Sequence, residues 1–480
     1  MTVTSPQRVI IAGAVASGLS CATRLRRLSE HLQITVLERG PLISYANCGI
    51  PYALSDVISP ESKLLLQSPE KVKAWFNVDV LINTALIRIN RADKTVTILR
   101  DGKEEVLGYD KLVLGLGAEP IVPRVEGLEG DGVFTLTTIG DLRGIKSWVK
   151  ERGVKSVVVL GGAFIGVEAA ENLQGMEGIE QVKVVEKEKH LFPLSDGDIV
   201  YPVENEMRKN GVKLYTGRSV ARVNLKEGKL WLDDGEELGA EMIIVAAGIR
   251  ARMDIPKEAG LECGKTGVSV NEYMQSVSDE DIYCVGDMIE TENRVLGVRT
   301  QLALAGPANR QGRLAADNIC GRRIKYRGNV GTSVCKVFGK AIGMVGLGER
   351  GLERFKLKEK SQKVTVHPVN HAGYYPGSER LTLRIHFETE SGKILGAQCV
   401  GGDKAGVDKQ ISVLATAMMG DMTVEDLEHL ELAYAPPFGA AKDAVNMGGF
   451  VAGNVLRGDV EIVHAGDSDC KLENYQVVDV

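Results

Sequence analysis

Residues 8–28, RVIIAGAVASGLSCATRLRRL, decide the fold. An apolar run ends at Gly13, a tight turn leads to Gly18, and a helical stretch follows. A second apolar run, ITVLE, closes at Glu38. The same order recurs far along the chain. SVVVLGGAFIGVEAAENL (156–173) passes through Gly161 and Gly166, and QVKVVE closes at Glu186. In both copies the glycines are five residues apart, and the acid follows the second glycine by twenty. Strand, turn, helix, strand and acid at this spacing form the dinucleotide-binding pattern.

Each part has a physical reason. The first glycine permits the tight turn, and the last lets helix pack on strand. The helix N-terminus presents unpaired N–H groups and the positive end of its dipole to a pyrophosphate. The acid accepts hydrogen bonds from a ribose. Both copies depart from GxGxxG at the middle glycine, replaced by Val15 and Ala163. That leaves less room for the backbone to approach a phosphate. Two copies with identical spacing outweigh the departure.

Each copy is followed by an apolar strand ending in small residues, KLVLGLGAEP (111–120) and EMIIVAAGIR (241–250). A third landmark, DIYCVGD, ends a strand at Gly286-Asp287. From about residue 327 the character changes. TSVCKVFG, KAIGMVG, KVTVHPV, RLTLRIHF and KILGAQCV read as an antiparallel sheet, and AGVDKQISVLATAMMG (405–420) reads as a helix. The expected fold is α/β, with two nested Rossmann-like domains and a C-terminal α+β dimerisation domain. The boundaries are 1–119 with 252–326 for the first nucleotide domain, 120–251 for the second, 327–465 for the third, and a tail at 466–480.

A length of 480 residues fits about three domains of roughly 150 residues each. The formal charge of -6 gives nucleic-acid binding no support at whole-chain level. No run approaches the ~20 apolar residues of a membrane helix, and the N-terminus reads as a first strand rather than an export signal. A cytoplasmic location is expected. Eight cysteines are scattered without a CxxC pair, so no zinc site or thioredoxin-like couple is expected. His367 and His371 are four apart on a strand-and-turn segment without further ligands, and no metal is expected.

The order of nucleotide units, GD motif and α+β domain resembles the pyridine nucleotide–disulfide oxidoreductases over residues 8–465. SYANCGIPY (44–52) resembles the single-cysteine branch, the coenzyme A-disulfide reductases and their CoA-persulfide or polysulfide relatives. Two-cysteine members carry a second cysteine five residues after the first, where this chain has Ala53. The resemblance implies FAD on Gly13, Val15, Ala16, Gly18, Glu38, Arg39, Asn47, Val80, Gly117, Ala118, Asp287 and Ala305. It implies a nicotinamide cofactor on Gly161, Gly162, Phe164, Ile165, Gly166, Glu186, Lys187, Ala247 and Gly248. The Glu186 carboxylate suits a ribose hydroxyl and repels a 2′-phosphate, favouring NADH. Lys187 and Lys189 nearby soften that preference and keep NADPH in view.

Cys48 is the nucleophile candidate among the eight cysteines. It follows the first nucleotide strand pair, where ligands approach open α/β sheets, and a helix N-terminus nearby would favour its thiolate. The resemblance implies a relay from NADH through flavin to Cys48, held as a mixed disulfide with the substrate thiol. The resemblance also implies coenzyme A contacts on Ser20, Arg24, Arg27, Ser44, Asn47, Asn309 and Lys442. Family members often carry a basic residue in the stretch where Trp75 and Phe76 stand here, with Lys71 and Lys73 close by. HAGYYPG (371–377) and LAYAPPFG (432–439) resemble segments that reach a partner subunit's site. They imply a homodimer in which Tyr434 and one of Tyr374 or Tyr375 act near Cys48 of the other subunit.

Two other readings remain at this stage. One is an NADH oxidase using oxygen, although the first glycine loop lacks the histidine usual in peroxidase and oxidase relatives. The other is a flavin-bound redox sensor or electron-transfer protein, which would be expected to lose Cys48 or the nicotinamide unit. The final YQVVDV resembles the opening strand of a rhodanese domain.

Overall fold

The computed structural model describes residues 6–464. The described residues divide into two compact units, residues 6–193 with 207–329, and residues 194–206 with 330–464. The tail and its rhodanese reading lie outside the described residues.

The first unit contains both nucleotide folds. A six-stranded sheet runs in the order Gln275–Ser276, Asp279–Cys284, Lys111–Leu114, Arg8–Ala12 (β1), Gln33–Leu37 (β2) and Asp79–Leu81. All neighbours are parallel except the first pair. A five-stranded parallel sheet runs Lys213–Thr216, Gln181–Glu186, Ser156–Leu160, Met242–Val245 and Val133–Phe134. The first strand of each copy lies between the strand that ends in the acid and the later apolar strand. These strands are buried along nearly their whole length, as expected of strands covered on both faces.

The duplication goes further than the glycine motifs. Each copy inserts a three-stranded antiparallel meander before its closing apolar strand. One is Thr84–Asn90, Thr95–Arg100 and Lys103–Gly108; the other is Val220–Asn224, Lys229–Leu232 and Glu237–Gly239.

Five helices of this unit position the site: α1 (Ser17–Leu28), α2 (Ile50–Leu54), α3 (Pro69–Phe76), α4 (Ile139–Arg152) and α5 (Phe164–Gln174). Their N-termini differ. Helix α4 starts with a capping box, in which Thr138 accepts from the Asp141 amide and Asp141 accepts from the Thr138 amide. Helices α1 and α5 start without a side-chain cap or an acid in the first turn. Their first N–H groups are therefore left for an outside acceptor.

The second unit is a five-stranded antiparallel sheet, ordered Ser333–Val337, Lys340–Gly346, Ile394–Gly402, Thr382–Glu388 and Ser361–Val366. Helices Val407–Met419 and Ala444–Leu456 pack on it. All nine residues of Ile394–Gly402 are buried. Residues 194–206 belong to this unit and are fixed to it by a buried ionic cluster. Asp196 accepts hydrogen bonds from Arg384 at 3.0 Å and from the Glu349 amide at 2.8 Å, and meets His386 at 2.9 Å. The Arg384 guanidinium also binds Asp198 through two nitrogens, at 2.7 and 2.6 Å.

Candidate redox site on the first unit

The glycine loops are closed to any side chain. A Cβ on Gly18 would stand 1.8 Å from the Gly13 carbonyl oxygen, and one on Gly166 would stand 1.9 Å from the Gly161 carbonyl oxygen. Gly13 and Gly161 have φ of +107° and +112°, a region that favours glycine. The departures at Val15 and Ala163 leave this geometry intact, because neither residue sits at the strand–helix crossing.

Each acid is held at the edge of its loop. Glu38 accepts from the Ala14 amide at 3.0 Å and the Gly40 amide at 2.8 Å. Glu186 is buried and accepts from the Gly162 amide at 2.6 Å and the Glu188 amide at 2.9 Å. A carboxylate has about four acceptor sites, so each retains capacity for a ribose. Arg39 follows Glu38, and Lys187 is exposed beside Glu186. Val80 pairs with Val36 at the sheet edge. Ala247 and Gly248 follow the Met242–Val245 strand, with Gly248 at φ +115°. Phe164 and Ile165 open α5.

Further parts of the first nucleotide site converge on the start of α1. Gly286 (φ +80°) and Asp287 form a tight turn, and the Gly286 amide donates to buried Gln311 at 2.8 Å. A Cβ on Gly286 would lie 2.8 Å from Ser17 Oγ. Gly312 of the Ala305–Ile319 helix has space only for hydrogen, since a Cβ would reach 2.0 Å from the Ser17 carbonyl oxygen. Ala305 opens that helix, and Gly117 and Ala118 follow the Lys111–Leu114 strand. Burial raises the Asp287 carboxyl above its usual range. A ligand hydroxyl donating to it would relieve that cost. Uncapped helix, closed glycine cradle and half-buried acid together fit a flavin dinucleotide. The corresponding loop, α5 and Glu186 fit a nicotinamide dinucleotide.

Cys48 lies on the Asn47–Gly49 turn that runs directly into α2. Ser44, just before it, has φ +46°, donates its amide to the Ala14 carbonyl at 2.8 Å and accepts from the Leu66 amide at 3.0 Å. The Asn47 side chain donates to the Thr137 carbonyl at 3.1 Å. Cys48 is exposed, whereas Cys21, Cys284, Cys335 and Cys399 are buried. Burial raises the Cys399 thiol to about 12 and pushes Cys21 and Cys284 upward as well, so these are inert as nucleophiles.

The expected thiolate at Cys48 is not what this environment favours. Partial burial, then the charges of Glu168 and Asp287, push its thiol up, and its own backbone amide offsets only part of this. Helix α2 has only five residues, so its dipole is short. Glu168 and Tyr52 carried no assigned role in the sequence reading. Their one signal was position: Tyr52 falls four residues after Cys48, and Glu168 two after Gly166.

Residues expected to meet coenzyme A are partly gathered. Ser20 on α1 donates to Asn309 at 2.5 Å. Arg24 is held by Asp317 at 2.7 Å, so part of its charge is already neutralised within the protein. The Arg27 guanidinium lies 5.3 Å from the Phe76 ring centre, and Trp75 is exposed beside it in sequence. On the second unit, Lys442 is exposed. The Tyr374 and Tyr434 hydroxyls lie 3.2 Å apart, and the His371 and Tyr375 rings meet edge to face at 5.7 Å. His367 Nδ1 meets Thr382 at 3.0 Å. No grouping of three metal-ligating side chains occurs among the described residues, and no helix among them is long and apolar enough to cross a membrane.

Fold and loops together define a two-dinucleotide oxidoreductase. The pyridine nucleotide-disulphide oxidoreductase family model matches residues 7–312, and the dimerisation domain of that family matches residues 332–445. The chain belongs to this family, whose members use FAD and NAD(P)H. Within it, the chain is 32% identical to an NADH oxidase of Methanocaldococcus jannaschii over 92% of this chain and 97% of that protein. It is 30% identical to a coenzyme A disulfide reductase of Staphylococcus haemolyticus over 93% and 99%. Among solved structures, the reduced CoADR-RHD of Bacillus anthracis superposes with a TM-score of 0.94 at 40% identity, covering 98% of this chain and 84% of that one. An NAD-dependent persulfide reductase from A. fulgidus gives 0.92 at 34%, covering 96% and 86%.

Proposed function

We propose that this protein is an FAD-containing, NADH-dependent reductase of coenzyme A disulfide or a related CoA persulfide or polysulfide, working through Cys48 alone. The observation that carries the reading is an exposed cysteine on the turn beside the first glycine loop, with Ala53 where a second redox cysteine would stand. Support comes from relatives named as a CoA disulfide reductase and a persulfide reductase.

Bound FAD would supply the two-electron chemistry, taking reducing equivalents from the nicotinamide and delivering them to a disulfide. The chain's own part is sulfur chemistry. The Cys48 thiolate attacks one sulfur of the substrate disulfide, forms a Cys48–substrate mixed disulfide and expels one thiolate. Two electrons then break the mixed disulfide, returning Cys48 as thiolate and releasing the second thiol after protonation. Overall, one disulfide, one NADH and one proton give two thiols and NAD⁺.

Asn47 steadies the cysteine turn through Thr137. Glu186 favours NADH by offering a carboxylate to a ribose and repelling a phosphate. Ser20, Asn309, Arg24, Arg27, Ser44 and Lys442 are proposed contacts to coenzyme A, with Arg24 using the donors that Asp317 leaves open. A homodimer is proposed, in which Tyr434 with Tyr374 or Tyr375 donates a proton to the departing thiol of the partner's site. The NADH oxidase reading is favoured by the M. jannaschii relative, and oxygen is therefore an arm of the test.

The test is steady-state NADH oxidation with CoA disulfide, CoA persulfide, polysulfide and oxygen, for wild type and Cys48→Ser. Loss of at least about 10³-fold with sulfur acceptors and retained flavin is expected of the variant. Full sulfur-dependent activity in Cys48→Ser would falsify the reading.

A further inference from the structure

We propose that Arg313 is a specificity-determining residue for the acceptor: it binds phosphate groups of the nucleotide half of coenzyme A on the face shared by α1 and the Ala305–Ile319 helix. The inference rests on the proposed reading of the acceptor and adds to it a residue that the sequence did not single out.

Two polar rungs join these helices. Ser20 donates to Asn309, and Arg24 donates to Asp317 through two nitrogens, at 3.1 and 2.7 Å. The backbones are closest at Gly312, where a Cβ would stand 2.0 Å from the Ser17 carbonyl oxygen. Asn309, Arg313 and Asp317 follow one another at four-residue steps, so they lie in one line along the helix. Arg313 is about 6 Å along the axis from each of the other two. It therefore stands between the two rungs, and its position is exposed. The face starts near the cysteine turn, because Ser44 donates its amide to the Ala14 carbonyl just before α1. From Ser20 to Arg27 it extends over about 10 Å. An elongated thiol with its sulfur at Cys48 would lay its far end along it.

The charge on this face is not balanced within the protein. Asp317, four residues on, is the partner that helix spacing offers to Arg313. Its Oδ1 is taken instead by Arg24 and by Arg322, the latter at 3.4 Å. Glu30, the nearest acid to Arg27 on α1, meets Arg26 at 3.9 Å. The Arg27 guanidinium faces the Phe76 ring, which carries no charge. Among the described residues Arg313 has no hydrogen-bond or ion-pair partner. Arg24, Arg27, Arg313 and Arg322 thus share a face with one buried carboxylate, in a chain whose formal charge is -6. That local surplus suits a ligand carrying several phosphates. A guanidinium presents paired N–H groups that match phosphate oxygens. A disulfide without a nucleotide leaves the surplus unmet, so this face sorts acceptors by their phosphates and not by their sulfur.

Two disulfides with the same sulfur arm test this in the flavin-loaded protein: CoA disulfide, and pantethine, which has no phosphate. Arg313→Gln should raise the KM for CoA disulfide by about threefold or more, with kcat and the KM for pantethine unchanged. Arg313→Lys keeps the charge and should recover most of the loss. An equal rise for both disulfides marks a general structural effect and overturns the proposal, as does an unchanged KM for CoA disulfide.

Calorimetric binding of adenosine 3′,5′-bisphosphate, with saturating NAD⁺ to fill the second cradle, reads the same residue without turnover. This ligand has no sulfur and makes no demand on Cys48. Its Kd should be about threefold or more weaker in Arg313→Gln than in wild type. It should also weaken with added NaCl, which screens exposed charges. Equal Kd values for the two proteins, or no binding to wild type at millimolar ligand, reject the proposal. Full sulfur-dependent activity in Cys48→Ser would remove the relay and leave this binding result to decide Arg313, and failure at Arg313 leaves the Cys48→Ser result standing.

Discussion

At the scale of single residues, the glycines of the two loops are decided by space, and Cys48 by its surroundings. A methyl group at position 18 would press into the Gly13 carbonyl at 1.8 Å, a contact that only backbone movement can relieve. Gly18→Ala should therefore spread α1 from β1 and spoil the first cradle while leaving the second fold's cradle unchanged. The expected outcome is a purified protein with at least about tenfold less bound flavin by its visible absorbance. A variant with full flavin content would show that the closure is not needed for binding. Cys48 is a different case. Its exposure and its place after β2 were legible from SYANCGIPY, but its protonation was not. Glu168 lies 120 residues away in sequence, and only folding lets its carboxylate act on the thiol.

At the scale of elements, the segment 194–206 is fixed by one ionic cluster on the second unit. Asp196 is almost fully buried. Burial pushes its carboxyl up, but the His386 hydrogen bond and charge, with Gln398 and the Glu349 amide, more than offset this and hold it well below the carboxylate range. The folded-state pKa is thus depressed relative to an unfolded value of about 3.9. The stability this group contributes is present above that value and is lost as pH falls below it. Asp196→Asn should destabilise the protein at neutral pH by about 2–4 kcal/mol, since it leaves buried donors of Arg384 and His386 short of an acceptor. Its melting temperature should also fall less than that of wild type between pH 6 and pH 3. Parallel acid profiles for the two proteins would remove Asp196 from the account. Nothing in PLSDGDIV (193–200) marked this segment as part of the second unit, because a charge cluster drawn from three distant stretches has no local period.

At the scale of the whole molecule, the match to a dimerisation domain over residues 332–445 bears on assembly. Sedimentation should give a particle of about twice the 51.8 kDa chain mass. If the tyrosines of one subunit complete the site of the other, co-refolding Cys48→Ser with a Tyr374→Phe/Tyr434→Phe double variant should recover activity. One of the two sites in a mixed dimer would then be intact, giving about a quarter of wild-type turnover after random pairing. Recovery should be absent if each chain forms its site alone.

The amino-acid sequence by itself determined the two nucleotide folds, the change to an antiparallel sheet near residue 330 and a candidate cysteine with no second cysteine five residues on. Each is a local pattern: a glycine spacing fixed by sterics, an alternation fixed by the pleat, or a missing second sulfur. The tertiary structure alone decided the paired meanders, the assignment of residues 194–206 to the second unit, the Asp317 partner of Arg24, and the Glu168 charge acting on Cys48. Those depend on which distant side chains share a small volume, and hydrogen bonds and desolvation act over ångströms in space whatever the separation along the chain.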